Sequence, residues 1–144
     1  MRMDFYQLSR DPVEAVVTLL AQKVLAAGKR GLVVSGDADQ RAAIGTALWA
    51  QPECFLANGE AGDEHAARQP LLLSANCEAA NGATNVLLAD GIWREESEAF
   101  ARTFLLFDDA TVDAARELWR KLDGREGLER NFWKQDGGRW TKAA

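Results

Sequence analysis

The chain has 144 residues, 47% of them apolar and 27% charged, with three prolines. That is enough for one domain with a real core, so residues 1–144 are read as a single domain. No stretch is long and apolar enough for a membrane span, the N-terminus MRMDFYQLSRDP has no signal-peptide h-region, and the net charge of −5 argues against nucleic-acid binding by the whole surface.

The charge is uneven. Residues 113–144 carry 8 of the 17 basic residues against 6 of the 22 acidic ones, so the C-terminal quarter is cationic while the rest is acidic. Such an end could receive an anion or an acidic peptide. Cys54 and Cys77 form no CxxC and have no second pair, so they read as reduced structural thiols in a cytoplasmic protein, without a metal site.

In chain order, MDFYQL (3–8) alternates and is rich in aromatics, as a strand does. Asp11-Pro12 predicts a helix start with Asp11 as cap, and Val13, Val16, Val17, Leu20, Val24 and Leu25 give a helical stripe ending at Gly28. GLVVS (31–35) reads as a strand buried on both faces. Residues 36–39 cap a helix running to about Trp49, whose interior Gly45 suggests close packing. CFLAN (54–58), PLLLSA (70–75), NVLLAD (85–90) and TFLLF (103–107) are further predicted strands, with a polar loop over 58–69 and a short helix over 94–101. Asp108 or Asp109 caps a helix over about 110–123, and NFWKQ-GG-RW closes the chain as a hairpin. Strands alternating with helices predict a three-layer α/β/α sandwich on a mostly parallel open sheet, Rossmann-like in type.

The chemistry expected of a nucleotide site on such a sheet is missing. There is no GxxxxGK[ST] and no GxGxxG, the loop SGDAD is acidic, and neither GxSxG nor HExxH occurs. His65, the one histidine, lies in the polar loop without an evident partner. Asp108-Asp109 follows a strand, where carboxylates can hold magnesium, yet a helix begins there and capping explains the pair. No catalytic residue, metal or cofactor is expected. On the last helix, Thr111, Ala115, Leu118 and Leu122 form the apolar stripe, while Val112, Arg116, Trp119 and Arg120 share an adjoining one. Tryptophan beside arginine suits a binding hot spot, and it equally suits a core stripe widened by one residue with both arginines in water.

DFYQL, LW-x2-P-x2-F, NGEAGDEH, ANGATNVLLADG, LLFDDATVDAARELWRKL and FWKQDGGRW together resemble, in order and over essentially the whole chain, the chi subunit of bacterial DNA polymerase III. The resemblance implies a non-catalytic replication adaptor that meets nucleic acid only indirectly. Its partners would be the acidic, phenylalanine-ending C-terminal tail of the single-stranded DNA-binding protein and the clamp loader. Carried over, the tail site would use Arg116 and Trp119, with Trp in place of the family's Tyr and Arg120 following. Val112 stands where the family has a basic residue, and Leu106 with Phe107 would form an apolar floor. The stretch after Leu48 would face a psi-like subunit or a helicase through Trp49, Pro52 and Phe55, with Ala57-Asn58 replacing the family's Pro-His. Two alternatives stay open: a small nucleotide-binding enzyme on the same fold, and an adaptor for a different DNA-repair partner.

Overall fold

In the computed structural model, eight strands form one sheet ordered β3-β4-β2-β5-β6-β1-β7-β8, and all neighbours are parallel except β7 and β8. The structure describes residues 1–9, 11–51, 56–136 and 139–144. The strands are β1 (Arg2–Gln7), β2 (Gly31–Val34), β3 (Asn58–Glu60), β4 (Leu71–Ser74), β5 (Asn85–Leu88), β6 (Arg102–Phe107), β7 (Glu129–Asp136) and β8 (Arg139–Lys142). Three α-helices complete the frame: α1 (Val13–Ala26), α2 (Ala38–Trp49) and α3 (Val112–Lys121). The predicted helix near 94–101 is a 3-10 turn over Glu95–Ala99.

Alternation along the strands makes two cores. Met3, Phe5, Leu105 and Phe107 face α3 through Ala115, Leu118 and Leu122, while Tyr6, Phe104 and Leu106 face α1 and α2 through Val17, Leu20, Ile44 and Leu48. The result is the three-layer α/β sandwich expected from the sequence. β2, β4 and β5 are buried along their whole length, as their mostly apolar sequences require.

Three local expectations change. Asp11 does not cap α1: Pro12 holds the N-cap position without a side-chain bond, and the Asp11 carboxylate accepts from Gln135 Nε2 at 2.8 Å. That contact ties the β1–α1 loop to the terminal hairpin. Of the strand expected at 54–58, residues 54 and 55 lie outside the described residues, Leu56 and Ala57 are not in a strand, and β3 is Asn58–Glu60. A polar three-residue strand suffices there because it pairs on one side only, with β4. Cys54 lies outside the described residues, whereas Cys77 is half-buried near Ser97, and burial pushes its thiol pKa up. Asp37 caps α2 as anticipated, accepting from the N–H groups of Asp39 and Gln40. A Cβ on Gly45 would meet Leu73 at 3.2 Å and Asn58 at 3.3 Å, which is the close packing its position suggested.

The α1 face also holds a buried carboxylate that the sequence reading missed. Asp4 is 0% exposed and joins the amino ends of β6, β1 and β7. Its Oδ2 pairs with Arg102 Nε at 2.8 Å and Arg2 Nε at 3.2 Å, and its Oδ1 accepts from Asn131 Nδ2 at 3.0 Å and Trp133 Nε1 at 3.2 Å. The Arg2 Nε–H donates to Oδ1 at 3.4 Å, so the carboxylate accepts four hydrogen bonds in all.

Tyr6, two residues on, stacks on Trp133 and meets Trp140 edge-on. Burial, then the nearby Asp4 charge, pushes its phenol from an ordinary 10.0 to about 12. It is the one tyrosine in the chain, so phenolate absorbance reports it alone. Native protein should show almost no phenolate near pH 10.5, whereas protein in denaturant should be more than half ionised. A raised folded pKa leaves its stabilisation intact below the unfolded value of 10.0 and removes it as pH rises towards 12, by roughly 2–3 kcal/mol. Identical native and denatured titration curves would contradict the buried environment.

Candidate functional site

The flank that α3 turns towards β7 is built by a short, self-bonded entry turn. The Asp108 carboxylate accepts from the N–H of Ala110 at 3.0 Å and of Thr111 at 3.2 Å, while Thr111 Oγ1 accepts from the Asp108 N–H at 3.1 Å. The cap expected of Asp108 or Asp109 is not found: Thr111 holds the N-cap position of α3 without a side-chain bond, and the Asp108 carboxylate instead closes the turn just before the first helical residue, Val112. Val-Asp-Ala-Ala-Arg-Glu-Leu-Trp-Arg-Lys then carries mostly good helix formers, with Arg120 and Lys121 favourably placed in the last turn.

Ala115 and Leu118 point into the core, so Val112, Arg116 and Trp119 share the β7-facing flank by their spacing. Trp119 is half-buried. Its ring meets Phe5 at 5.2 Å and Phe132 of β7 at 5.6 Å, both edge-to-face. Phe107 lies beneath at 5.5 Å from Phe132 and is fully buried. Trp119 thus widens the core stripe, and part of its ring stays uncovered. Val112 is half-buried, and Arg116 and Arg120 are exposed.

Leu106 does not join this floor. Strand alternation sends it to the α1 face, where it is 1% exposed, while its neighbour Phe107 goes to α3. What the sequence reading missed is Arg130. Its guanidinium lies 4.0 Å from the Trp119 ring centroid, donates to the Trp119 carbonyl and pairs with Asp123 at 2.5 Å. The signal was an Arg on the strand that carries Phe132. Arg130 and Trp119 together join β7 to α3 and give this flank its apolar and cationic character.

The second surface lies elsewhere. Leu48 is buried as expected, and Trp49 at the end of α2 is 52% exposed. Trp49 lines an open groove of about 390 Å³ with Arg41, Gly45, Asn58 and Gly59. Pro52 and Phe55 lie outside the described residues. α2 and α3 pack on opposite faces of the sheet, and five strands separate β3 from β7. At about 4.8 Å per strand the two surfaces stand roughly 30 Å apart.

At the carboxyl ends of β1, β5 and β6, where such sheets bind nucleotides, an open cleft of about 420 Å³ has Asp11, Asp90, Asp108 and Asp109 in its lining, and Arg10, between the lining residues Ser9 and Asp11, lies outside the described residues. Burial pushes the Asp90 carboxyl up, but hydrogen bonds from Arg94, Gly36 and Ile92 outweigh it and hold its pKa below the ordinary value. Four acidic side chains in the described lining disfavour a phosphate there. His65 is exposed in its loop. Among the described residues no group of three or more His, Cys, Asp or Glu is arranged to hold a metal, and no helix is long and apolar enough to cross a membrane.

No curated protein matches the chain. The family model described as DNA polymerase III chi subunit, HolC, matches residues 1–129. The chain therefore belongs to the DNA polymerase III chi subunit family and has the replication-accessory role of that family.

Proposed function

We propose that the protein is a non-catalytic cytoplasmic adaptor that links the clamp loader of DNA polymerase III to single-stranded DNA-binding protein. It does so by binding the acidic, phenylalanine-ending tail of the latter, and it meets DNA only through that partner. The observation that carries this reading is the flank of α3, where Arg116 stands one turn from a half-buried Trp119 over Phe107 and Phe132. A chain-terminal Phe presents a ring and a carboxylate on one residue. The aromatic cluster suits the ring, and Arg116 can grip the carboxylate with two parallel hydrogen bonds. Arg120 lies beside the path of the upstream acids. On the opposite face, the Trp49 groove is the surface offered to the clamp-loader side, through a psi-like subunit or a helicase, with Pro52 and Phe55 as its other candidates. Opposed faces let both partners bind at once.

Calorimetric titration with an acidic peptide ending Ile-Pro-Phe, beside the same peptide lacking Phe, tests the reading. Micromolar binding that needs the Phe and weakens with salt is the expected result. A flat heat signal with both peptides would remove the tail site. The competing nucleotide-enzyme reading calls for thermal stabilisation by a nucleotide with magnesium, which the acidic cleft disfavours.

A further inference from the structure

Beside the α3 flank, the terminal hairpin carries further basic residues. Alternation puts Phe132 and Lys134 of β7 on the α3 face, since Phe132 packs in that core and Trp133 in the other. Across the hairpin Lys134 is opposite Thr141 and Asp136 is opposite Arg139, so Arg139 shares that face. Lys142, opposite Trp133, belongs to the α1 face. Lys134 and Arg139 are exposed, and the strand position opposite Arg139 is held by Asp136. Arg130, by contrast, is held by Asp123 and Trp119.

We propose that the α3 face of the β7–β8 hairpin is a second, electrostatic subsite, in which Lys134 and Arg139 receive the carboxylates that precede the terminal residue of an acidic peptide. The inference rests on the tail reading above and gives the peptide a direction. Its end lies at Arg116 and Trp119, and its upstream part runs over β7 towards β8. The reach fits. Lys134 Nζ stands 6.0 Å from the Phe132 ring centroid, which is itself 5.6 Å from that of Trp119. An extended peptide advances about 3.3 Å per residue and covers that path within about four residues. The subsite belongs to residues 130–144, beyond the part matched by the family model.

The test uses the full chain, its Lys134→Glu, Arg139→Glu and Lys142→Glu variants, and two peptides that both end in Phe. One peptide is acidic, and in the other asparagines replace the aspartates. Lys134→Glu and Arg139→Glu should each weaken the acidic peptide on the order of fivefold at low salt and leave the asparagine peptide unchanged. Lys142→Glu makes the same change of net charge on the other face and should leave both affinities alone. All three variants should keep the wild-type Tm. Equal losses at Lys134 and Lys142, or equal losses for the two peptides, would overturn the subsite. Wild-type protein that binds neither peptide would instead overturn the tail reading, and the subsite with it.

Discussion

Asp4→Ala should unfold about 3 kcal/mol more easily than the wild type, with a Tm lower by roughly 10 °C. Asp4 is wholly buried and accepts from four donors on three strands, at 2.8 to 3.4 Å. Removing it leaves Asn131, itself 4% exposed, with a buried donor and no acceptor. Arg102 and Arg2 keep 31% and 41% of their side-chain surface in water, so their charges can rehydrate and the cost stays below that of a fully buried pair. Asp4→Asn keeps an acceptor for Asn131 and Trp133 but loses the charge towards both arginines, so it should cost about half as much. Denaturant unfolding measures both variants. A wild-type midpoint for the alanine variant would mean that these bonds contribute nothing net. Against a total stability of about 5–15 kcal/mol, the expected loss is large.

Trp119→Ala should cost about 3 kcal/mol of stability in addition to any binding it abolishes. The ring has edge-to-face contacts with Phe5 and Phe132, and Arg130 lies over its face. Truncation removes all three and frees β7 from α3. Loss of tail binding in this variant would therefore not separate a lost contact from a loosened site. Arg116→Ala is the cleaner probe, because Arg116 is exposed. It should lower tail affinity by roughly tenfold to a hundredfold, the worth of a charge-assisted bidentate pair, with Tm unchanged. Calorimetry and thermal unfolding on the two variants read both effects. A Trp119→Ala protein as stable as the wild type would place the ring outside the core, and full affinity in Arg116→Ala would remove the carboxylate grip.

The parts legible in the sequence are those set by periodicity. The apolar runs at Leu71–Ser74 and Asn85–Leu88, the stripe through Ala115, Leu118 and Leu122, and the closing hairpin all lie where spacing placed them. Strand order was not legible, because nothing in MDFYQL says that its neighbours come from Arg102–Phe107 and Glu129–Asp136. Asp4 was overlooked for the same reason, since its partners are distant in sequence. An acid inside an aromatic strand was the available clue. Leu106 was paired with Phe107 because the two are adjacent, although the period of two in a strand separates them. The polar Asn58–Glu60 carries no apolar run to mark it as a strand, and an edge strand paired with β4 needs none. Of the candidate site, Arg116 and Trp119 could be singled out from one helix. Arg130 could not, because it reaches Trp119 only once β7 lies beside β1.

The place of β1 between β6 and β7 has a consequence for how the chain reaches this fold. Arg2 pairs with Arg102 on one side and Glu129 on the other, so the first strand synthesised is among the last to be completed. Until then Met-Asp-Phe-Tyr-Gln offers two open edges, aromatic side chains and an uncompensated carboxylate. Pairings this far apart in sequence slow folding and prolong exposure to wrong partners. Folding during synthesis therefore cannot complete β1 until Arg102–Phe107 and Glu129–Asp136 have both been made.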